Sequence, residues 1–371
     1  QLPVDVFQTG SGTSTNMNVN EVIARLASES AGRDVSPNDH VNASQSSNDT
    51  VPTAVRVAVA LAVRDDVLPA LDELVTTLRA TGERFTDIVK VGRTHLMDAT
   101  PVTVGQEFAA WAGAVRRAAD RLRHDLDVLG ELPLGGTAVG TGINTPAGFA
   151  SAVITALAAD TGLALRPADD PMVHQGGQAA LAEASAGLRG VAVVLTKIAN
   201  DIRLLASGPS AGLAELRLPE LQKGSSIMPG KVNPVLCESV NQVAARVFGN
   251  DVTVAYAASQ GILELNTYLP VMADALLESC SLVANVTVVF ARKLVAGIEV
   301  DAERTRAAAE RSSALATALN PIIGYEAAAD VVRRALAEDR TIAEVAVESG
   351  VITPEQATDL LDPLRLARPH G

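Results

Sequence analysis

Three polar segments of this chain gather hydroxyl, amide and cationic side chains beside glycine or proline, a poor composition for a core and a good one for holding carboxylates. The first is Gly10-Ser11-Gly12-Thr13-Ser14-Thr15-Asn16 and the second is Ser44-Gln45-Ser46-Ser47-Asn48-Asp49. The second runs directly into a long apolar-periodic stretch, so its backbone amides and the positive end of a helix dipole can face an anion. Taken alone, each also has the composition of a helix-capping turn. The third, Gly224-Ser225-Ser226-Ile227-Met228-Pro229-Gly230-Lys231-Val232-Asn233-Pro234, is more specific: it joins a flexible loop, paired serines, a lysine and an asparagine ahead of a helix start. His95, one of five histidines, is the natural acid–base group, since imidazole titrates near neutral pH.

Long helices have to position these segments. From about Thr50 onward apolar residues recur at helical spacing, through Val55, Val59 and Val63 and on past Pro69 to Leu71, Leu74, Val75 and Leu78. Further helices are expected near 104–129, 145–162, 176–206, 233–258 and 267–297, with strand signals scarce. The stretch Leu188 to Leu205 is apolar on more than one face, through Val191, Val193, Val194, Leu195, Ile198, Ile202 and Leu204. One packing partner cannot cover such a helix, so it belongs inside a bundle or between subunits. Turn-rich segments at Leu132 to Thr137 and Ser207 to Pro234 interrupt the pattern and are natural places for a site. Past about residue 303 the helices shorten. The expected division is 1–46 as the remainder of an N-terminal domain, 47–302 as a central long-helix domain with the signature loop, and 303–371 as a small C-terminal helical domain.

Composition excludes several classes of function. The chain has 371 residues and a net charge of -13, which argues against a nucleic-acid partner, because phosphate binding rests on clustered Lys and Arg. Aromatic residues are 3% of the total, so a stacking site for bases or flat cofactors is poorly supplied. No uninterrupted apolar run approaches the ~20 residues of a membrane span, and Gln1-Leu2-Pro3-Val4-Asp5 lacks the features of a signal peptide. A cytoplasmic protein is the expectation. Cys237 and Cys280 read as buried free thiols rather than a staple or a metal site.

The loop at 224–234 resembles the signature of the fumarase/aspartase superfamily, and the resemblance extends over nearly the whole chain. Gln8 to Glu21, Pro37 to Asn48, Gly92 to Pro101, Leu132 to Pro146 and Asn320 to Ala327 are similar to fumarase segments, in fumarase order. Within the superfamily, Thr9, Ser11 and Gly230 stand where aspartases usually carry alanine, and Glu264-Leu265-Asn266 and Cys237 before Glu238 also look like the class II fumarase form. The final stretch from Val351 to Pro363 is about as close to aspartases.

The resemblance implies an all-α fold with a long central helix bundle forming a multi-subunit core, small terminal domains, and further residues upstream of Gln8. It implies a homotetramer with active sites shared between subunits, acting on fumarate and malate in the tricarboxylic acid cycle without metal or organic cofactor. In that reading Ser225 is the general base as an alkoxide. Lys231 and Asn233, with Thr94 nearby, grip one substrate carboxylate, and Ser46, Ser47 and Asn48 hold the other. His95, oriented by Glu238, handles the water together with Asn48, Ser11 and Thr13. An ammonia-lyase of the aspartase kind, another lyase releasing fumarate from a succinyl substrate, and a non-catalytic scaffold relative are the alternatives. Three places depart from the family: Ser36-Pro37-Asn38-Asp39, with Arg33 upstream, lacks the histidine of a secondary carboxylate site, Met172 to Gln178 fits the family pattern poorly, and Ile322-Ile323 stands where a histidine is common.

Overall fold

The computed structural model describes residues 3–368; Gln1 and Leu2 of the N-terminal stretch, with residues 369–371, lie outside the described residues. Helices dominate: α1 Thr13–Ala31, α2 Ser47–Ala62, α3 Leu68–Glu83, α4 Val104–Leu129, α5 Phe149–Thr161, α6 Pro171–Gly176, α7 Ala179–Leu205, α8 Val235–Ala258 and α9 Leu269–Val289. Shorter ones follow: α10 Ala302–Arg311, α11 Asn320–Ile323, α12 Tyr325–Glu338, α13 Ile342–Glu348, α14 Pro354–Leu360 and α15 Pro363–Leu366. The expected helices are present, several trimmed by a few residues at their ends, as fraying and capping dictate. Two elements differ from the sequence reading. Helix α1 already begins at Thr13, because Gly12 at φ 76 turns the chain into it, so the first polar segment is a helix N-terminus. Strand β1 Val89–Thr94 pairs antiparallel with β2 Met97–Thr103, where proline and glycine masked the alternation of a hairpin.

The remaining strands are two residues long: β3 Glu131–Leu132 beside β4 Arg166–Pro167, and β5 Leu216–Arg217 against β6 Glu299–Val300. Backbone contacts divide the chain into two compact units that interleave along the sequence. One comprises Gln1–Glu73, Val115–Lys197 and Ser239–Val288, and the other Leu74–Ala114, Ile198–Glu238 and Val289–Gly371. Helices α3, α4, α7, α8 and α9 contribute residues to both.

In the first unit, Leu132, Leu134 and Ile154 form a buried cluster with Val57, Val153, Leu157 and Leu165 around it. Beside it lies a fully buried arginine. Arg56 donates to the Glu131 carbonyl at 2.8 Å and faces His174 Nδ1 at 3.0 Å. A guanidinium can only donate, so His174 accepts at Nδ1 and carries its proton on Nε2, 3.3 Å from Glu131 Oε2. Burial lowers the Arg56 pKa to about 10, against the opposing pull of Glu131. The segment that fits the family poorly therefore encloses a buried cation through His174.

Burial first, and then the Arg56 charge, hold the His174 imidazole below its ordinary 6.5. The native state resists a proton that the unfolded chain accepts. The stability tied to His174 is thus fully present above pH 6.5 and is lost as pH falls toward the native-state pKa. The urea midpoint is expected to drop on acidification below that value, with a shallower drop in His174→Gln, whose amide oxygen still accepts from Arg56. Equal slopes in the two proteins would remove His174 from this role.

In the second unit the helices after residue 302 pack around Leu319, Ile342, Val345 and Ala346, and Val89 and Val91 of β1 pack on Ala309 and Ala367. Capping boxes at Thr341/Glu344 and Thr353/Gln356 start α13 and α14. Cys237 and Cys280 are buried and unpaired, and burial pushes both thiols up to about 12.

Two helical stretches, Ala179–Leu205 and Leu269–Gly297, are long and apolar enough to cross a membrane by length and composition, although polar residues interrupt the apolar run in each. Of their most apolar windows 44% and 50% is buried inside this chain. Helix α7 buries Leu188, Val191, Leu195, Ile198 and Ile202 but exposes Val193 and Leu204.

Candidate active site

Ser46 caps α2: its hydroxyl accepts from the Asn48 amide at 3.2 Å, and its own amide donates to Asp49 Oδ1 at 3.0 Å. Asp49 is fully buried. Its second oxygen accepts the amides of Gly135 and Thr137, each at 2.9 Å. One carboxylate therefore starts the helix and also fixes the turn-rich loop after β3. Asn48 adds a bond from its side-chain amide to the Ala138 carbonyl at 2.9 Å. The spacing of Ser46 and Asp49 is a capping box, a signal sufficient to single out Asp49, which the sequence reading left without a role.

Residues from the first two polar segments meet here. Ser11 Oγ and Thr13 Oγ1 are hydrogen-bonded at 2.7 Å, and Thr13 Oγ1 and Ser47 Oγ also at 2.7 Å. Ser11, Thr13 and Ser47 thus form a continuous chain of hydroxyls. Each hydroxyl can donate or accept, so the chain can bind water or an anionic oxygen by rotating its protons. Asn16 and Asn20 both donate to Asn42 Oδ1, at 3.1 and 2.9 Å, and secure α1 against the segment ahead of α2. Gly10 is tied to Thr267: a Cβ there would stand 1.3 Å from the Thr267 carbonyl oxygen, so no side chain fits.

The signature loop lies in the second unit and is held by its own polar groups. Ser225 Oγ accepts the amides of Ile227 at 3.2 Å and Met228 at 3.0 Å. Two amides aimed at one hydroxyl oxygen favour its ionised form. Lys231 Nζ donates to Asn233 Oδ1 at 2.8 Å, and Asn233 Nδ2 donates to the Gly224 carbonyl at 2.6 Å. Gly230 takes φ 80, where glycine carries no steric penalty. Ile227 and Met228 are exposed at the tip.

Thr94 ends β1 and pairs with Met97, so His95 and Leu96 are the two central residues of the hairpin turn. Both have positive φ, 56 and 62, a conformation costing a non-glycine residue about 1–2 kcal/mol. Strain of this kind collects at functional loops. His95, Leu96 and Met97 stand exposed. Glu238 lies exposed in the first turn of α8, and no hydrogen bond or ion pair joins it to His95 within the chain. The structure accordingly unites Ser11, Thr13 and Ser47, places Ser46 and Asn48 beside them, and unites Lys231 and Asn233. It forms no such bond between His95 and Glu238 among the described residues. Among the described residues no group of three or more His, Cys, Asp or Glu could hold a metal ion.

Long helices carrying a hydroxyl cradle and a glycine-closed serine–lysine–asparagine loop define a lyase of the fumarase/aspartase type. Residues 1–249 match the family model described as Lyase, and residues 315–368 the one described as Fumarase C C-terminus. The fumarate hydratase class II of Corynebacterium glutamicum is 51% identical over 97% of this chain and 76% of its own length. Two solved structures superpose at a TM-score of 0.95. Recombinant class II fumarase from Schistosoma mansoni is 38% identical, covering 100% of this chain and 81% of its own. The Brucella melitensis protein described as fumarate lyase:delta crystallin is 47% identical, covering 99% and 80%. The chain belongs to the class II fumarase family.

Proposed function

We propose that this chain is a fumarate hydratase, adding water reversibly and anti across the double bond of fumarate to give (S)-malate. The observation that carries the reading is the closure of the signature loop, with two amides on Ser225 Oγ and Lys231 locked to Asn233. Dehydrating malate means removing a proton from the carbon beside a carboxylate, a very weak acid, so charge building on that carboxylate must be stabilised in the transition state. Lys231 and Asn233, with Thr94, receive that charge. Ser225 takes the proton as an alkoxide, stabilised by its two amide donors and by the nearby lysine once the loop excludes water.

Ser46, Ser47 and Asn48 hold the other carboxylate at the start of α2, where the helix dipole favours an anion. His95, with Glu238 as its orienting carboxylate, and the hydroxyls of Ser11 and Thr13 handle the departing or attacking water. His95 and Glu238 are both exposed and make no bond to each other within one chain, so we assign their pairing to an assembly. The assembly we propose is a soluble homotetramer with active sites shared between subunits. Its support is the uncovered apolar surface on α7 and α8, where Val193, Leu204, Val252 and Tyr256 are exposed. The place we propose for this activity is the cytoplasm, within the tricarboxylic acid cycle.

An aspartate ammonia-lyase shares the proton abstraction but binds an amino group where this enzyme binds water. The hydroxyl chain Ser11–Thr13–Ser47 favours water. The deciding assay follows ultraviolet absorbance of the fumarate double bond after malate or aspartate is added separately to the full-length protein. A rise with malate alone is expected. A rise with aspartate alone would move the protein to the ammonia-lyases, and silence with both would leave it a different succinyl substrate or a scaffold role.

A further inference from the structure

Four charges are packed together in the second unit, behind the hairpin. Glu215 is buried to 3% exposure and Lys90 to 2%. Arg93 Nη2 donates to Glu215 Oε1 at 2.5 Å, while Lys90 Nζ stands 2.9 Å from Glu215 Oε2 as an ion pair. Lys90 also donates to both oxygens of Glu107 on α4, at 2.8 and 2.9 Å. Burial raises the Glu107 pKa, with Lys90 opposing the rise. Two cations and two carboxylates balance, as buried charges must.

The geometry gives Glu215 more than a balancing role. Lys90 and Arg93 sit three positions apart on β1, and in a regular strand such residues point to opposite faces. The pairing register shifts between Val91 and Arg93, with Ala99 and Thr100 of β2 opposite Gly92 alone, and a Cβ on Gly92 would stand 2.5 Å from the Thr100 carbonyl oxygen. At this irregular point of the hairpin both cations nevertheless reach one carboxylate. Arg93 immediately precedes Thr94 and the strained His95–Leu96 turn.

On its other side, Glu215 is bound through its backbone: its amide donates to the Leu205 carbonyl at 2.8 Å, and its carbonyl accepts from Asp301 at 3.0 Å. It then leads into β5 and on toward the signature loop, past Pro219, which packs on Gly297 so closely that a Cβ there would meet the ring at 2.6 Å.

We propose that Glu215 is a positioning residue for the reaction, setting through Lys90 and Arg93 the register of the Thr94–His95 turn against the chain that leads into the signature loop. One buried carboxylate thus aligns two elements that each deliver site residues. This role rests on the fumarate hydratase reading for its kinetic consequence, but not for its structural one.

Glu215→Gln in the full-length protein keeps the side chain's size and removes its charge. Because a displacement of ~1 Å costs on the order of 100-fold in rate, kcat for malate is expected to fall about 10- to 100-fold while KM moves less than about 3-fold. Amide hydrogen exchange is expected to quicken together in 89–103 and 216–223 and to stay unchanged in α12 to α14. A folded variant with kcat within about 2-fold of wild type, or with faster exchange in the hairpin alone, overturns the proposal. Should Glu215→Gln fail to fold, Arg93→Lys keeps the charge and shortens the reach: a reduced kcat supports the clamp and an unchanged one overturns it. If the wild-type protein turns over neither malate nor fumarate, the hydratase reading fails, and the exchange measurement alone decides the clamp.

Discussion

Replacing Ser225 by alanine is expected to lower kcat for malate by roughly 10²–10⁴-fold, the range that a positioned general base supplies, and to leave KM nearly unchanged. The split follows from where the hydroxyl acts. Ser225 takes part in proton removal, a transition-state event, whereas the carboxylates of bound malate are gripped by Lys231, Asn233 and the start of α2; an interaction made only in the transition state is lost from kcat without weakening binding. Stability should hardly change, since among the described residues Ser225 hydrogen-bonds to Ile227 and Met228 within its own exposed loop, and each such bond contributes about 0.5–1.5 kcal/mol. Steady-state kinetics on the purified variant, with its thermal midpoint measured alongside, give the answer. A variant within ten-fold of wild type would place the base elsewhere, His95 being the first candidate.

How much of this could be read from sequence divides along a physical line. Long amphipathic helices announce themselves by period, and α4, α7, α8 and α9 were legible because apolar residues recur over many turns. The signature loop was legible because residues 224–234 resemble the superfamily signature in order and spacing; residue types alone leave Ser225 an ordinary loop serine. The hairpin was not: Gly92 and Pro101 break the alternation in β1 and β2, and its turn is built from His95 and Leu96 rather than the Asn-Gly or Gly-Gly pairs that usually mark one. Pairing with a partner strand stabilises such a hairpin, and no local propensity reports it.

Charge placement was the least legible feature. Asp49 stands in the second polar segment without a role of its own, and nothing in the sequence separates Glu215 from an ordinary surface carboxylate, since most acidic residues are exposed; yet both are buried and each binds segments distant in sequence. Arg56 likewise sits unremarked in an apolar helical run and proves fully buried against His174. These residues hold loops whose composition was suggestive in place, so the sequence pointed to where the chemistry could be and was silent on what fixes it there.

The second large effect is expected from a residue with no side chain. Gly224 opens the signature loop, and a Cβ added to it would stand 1.7 Å from the Lys231 carbonyl oxygen and 3.0 Å from the Asn233 amide nitrogen. Those are backbone atoms and cannot turn aside, so Gly224→Ala has to spread the loop. The Gly224 carbonyl would leave Asn233 Nδ2, and Asn233 would cease to steady Lys231. Ser225, the next residue, would move with them. Since misplacement by ~1 Å costs on the order of 100-fold, kcat/KM is expected to fall by at least that factor. Unlike Ser225→Ala, this variant should also raise KM, because Lys231 and Asn233 act on the substrate carboxylate in the ground state as well as in the transition state. Its thermal midpoint should stay close to wild type, since the loop is exposed and α8 begins beyond it at Val235. The two variants together separate the roles: a fall in kcat alone marks the base, and a fall in kcat with a rise in KM marks the cradle. A Gly224→Ala enzyme with wild-type kinetics would mean that the loop works in a different form from the closed one, with Lys231 and Asn233 acting apart.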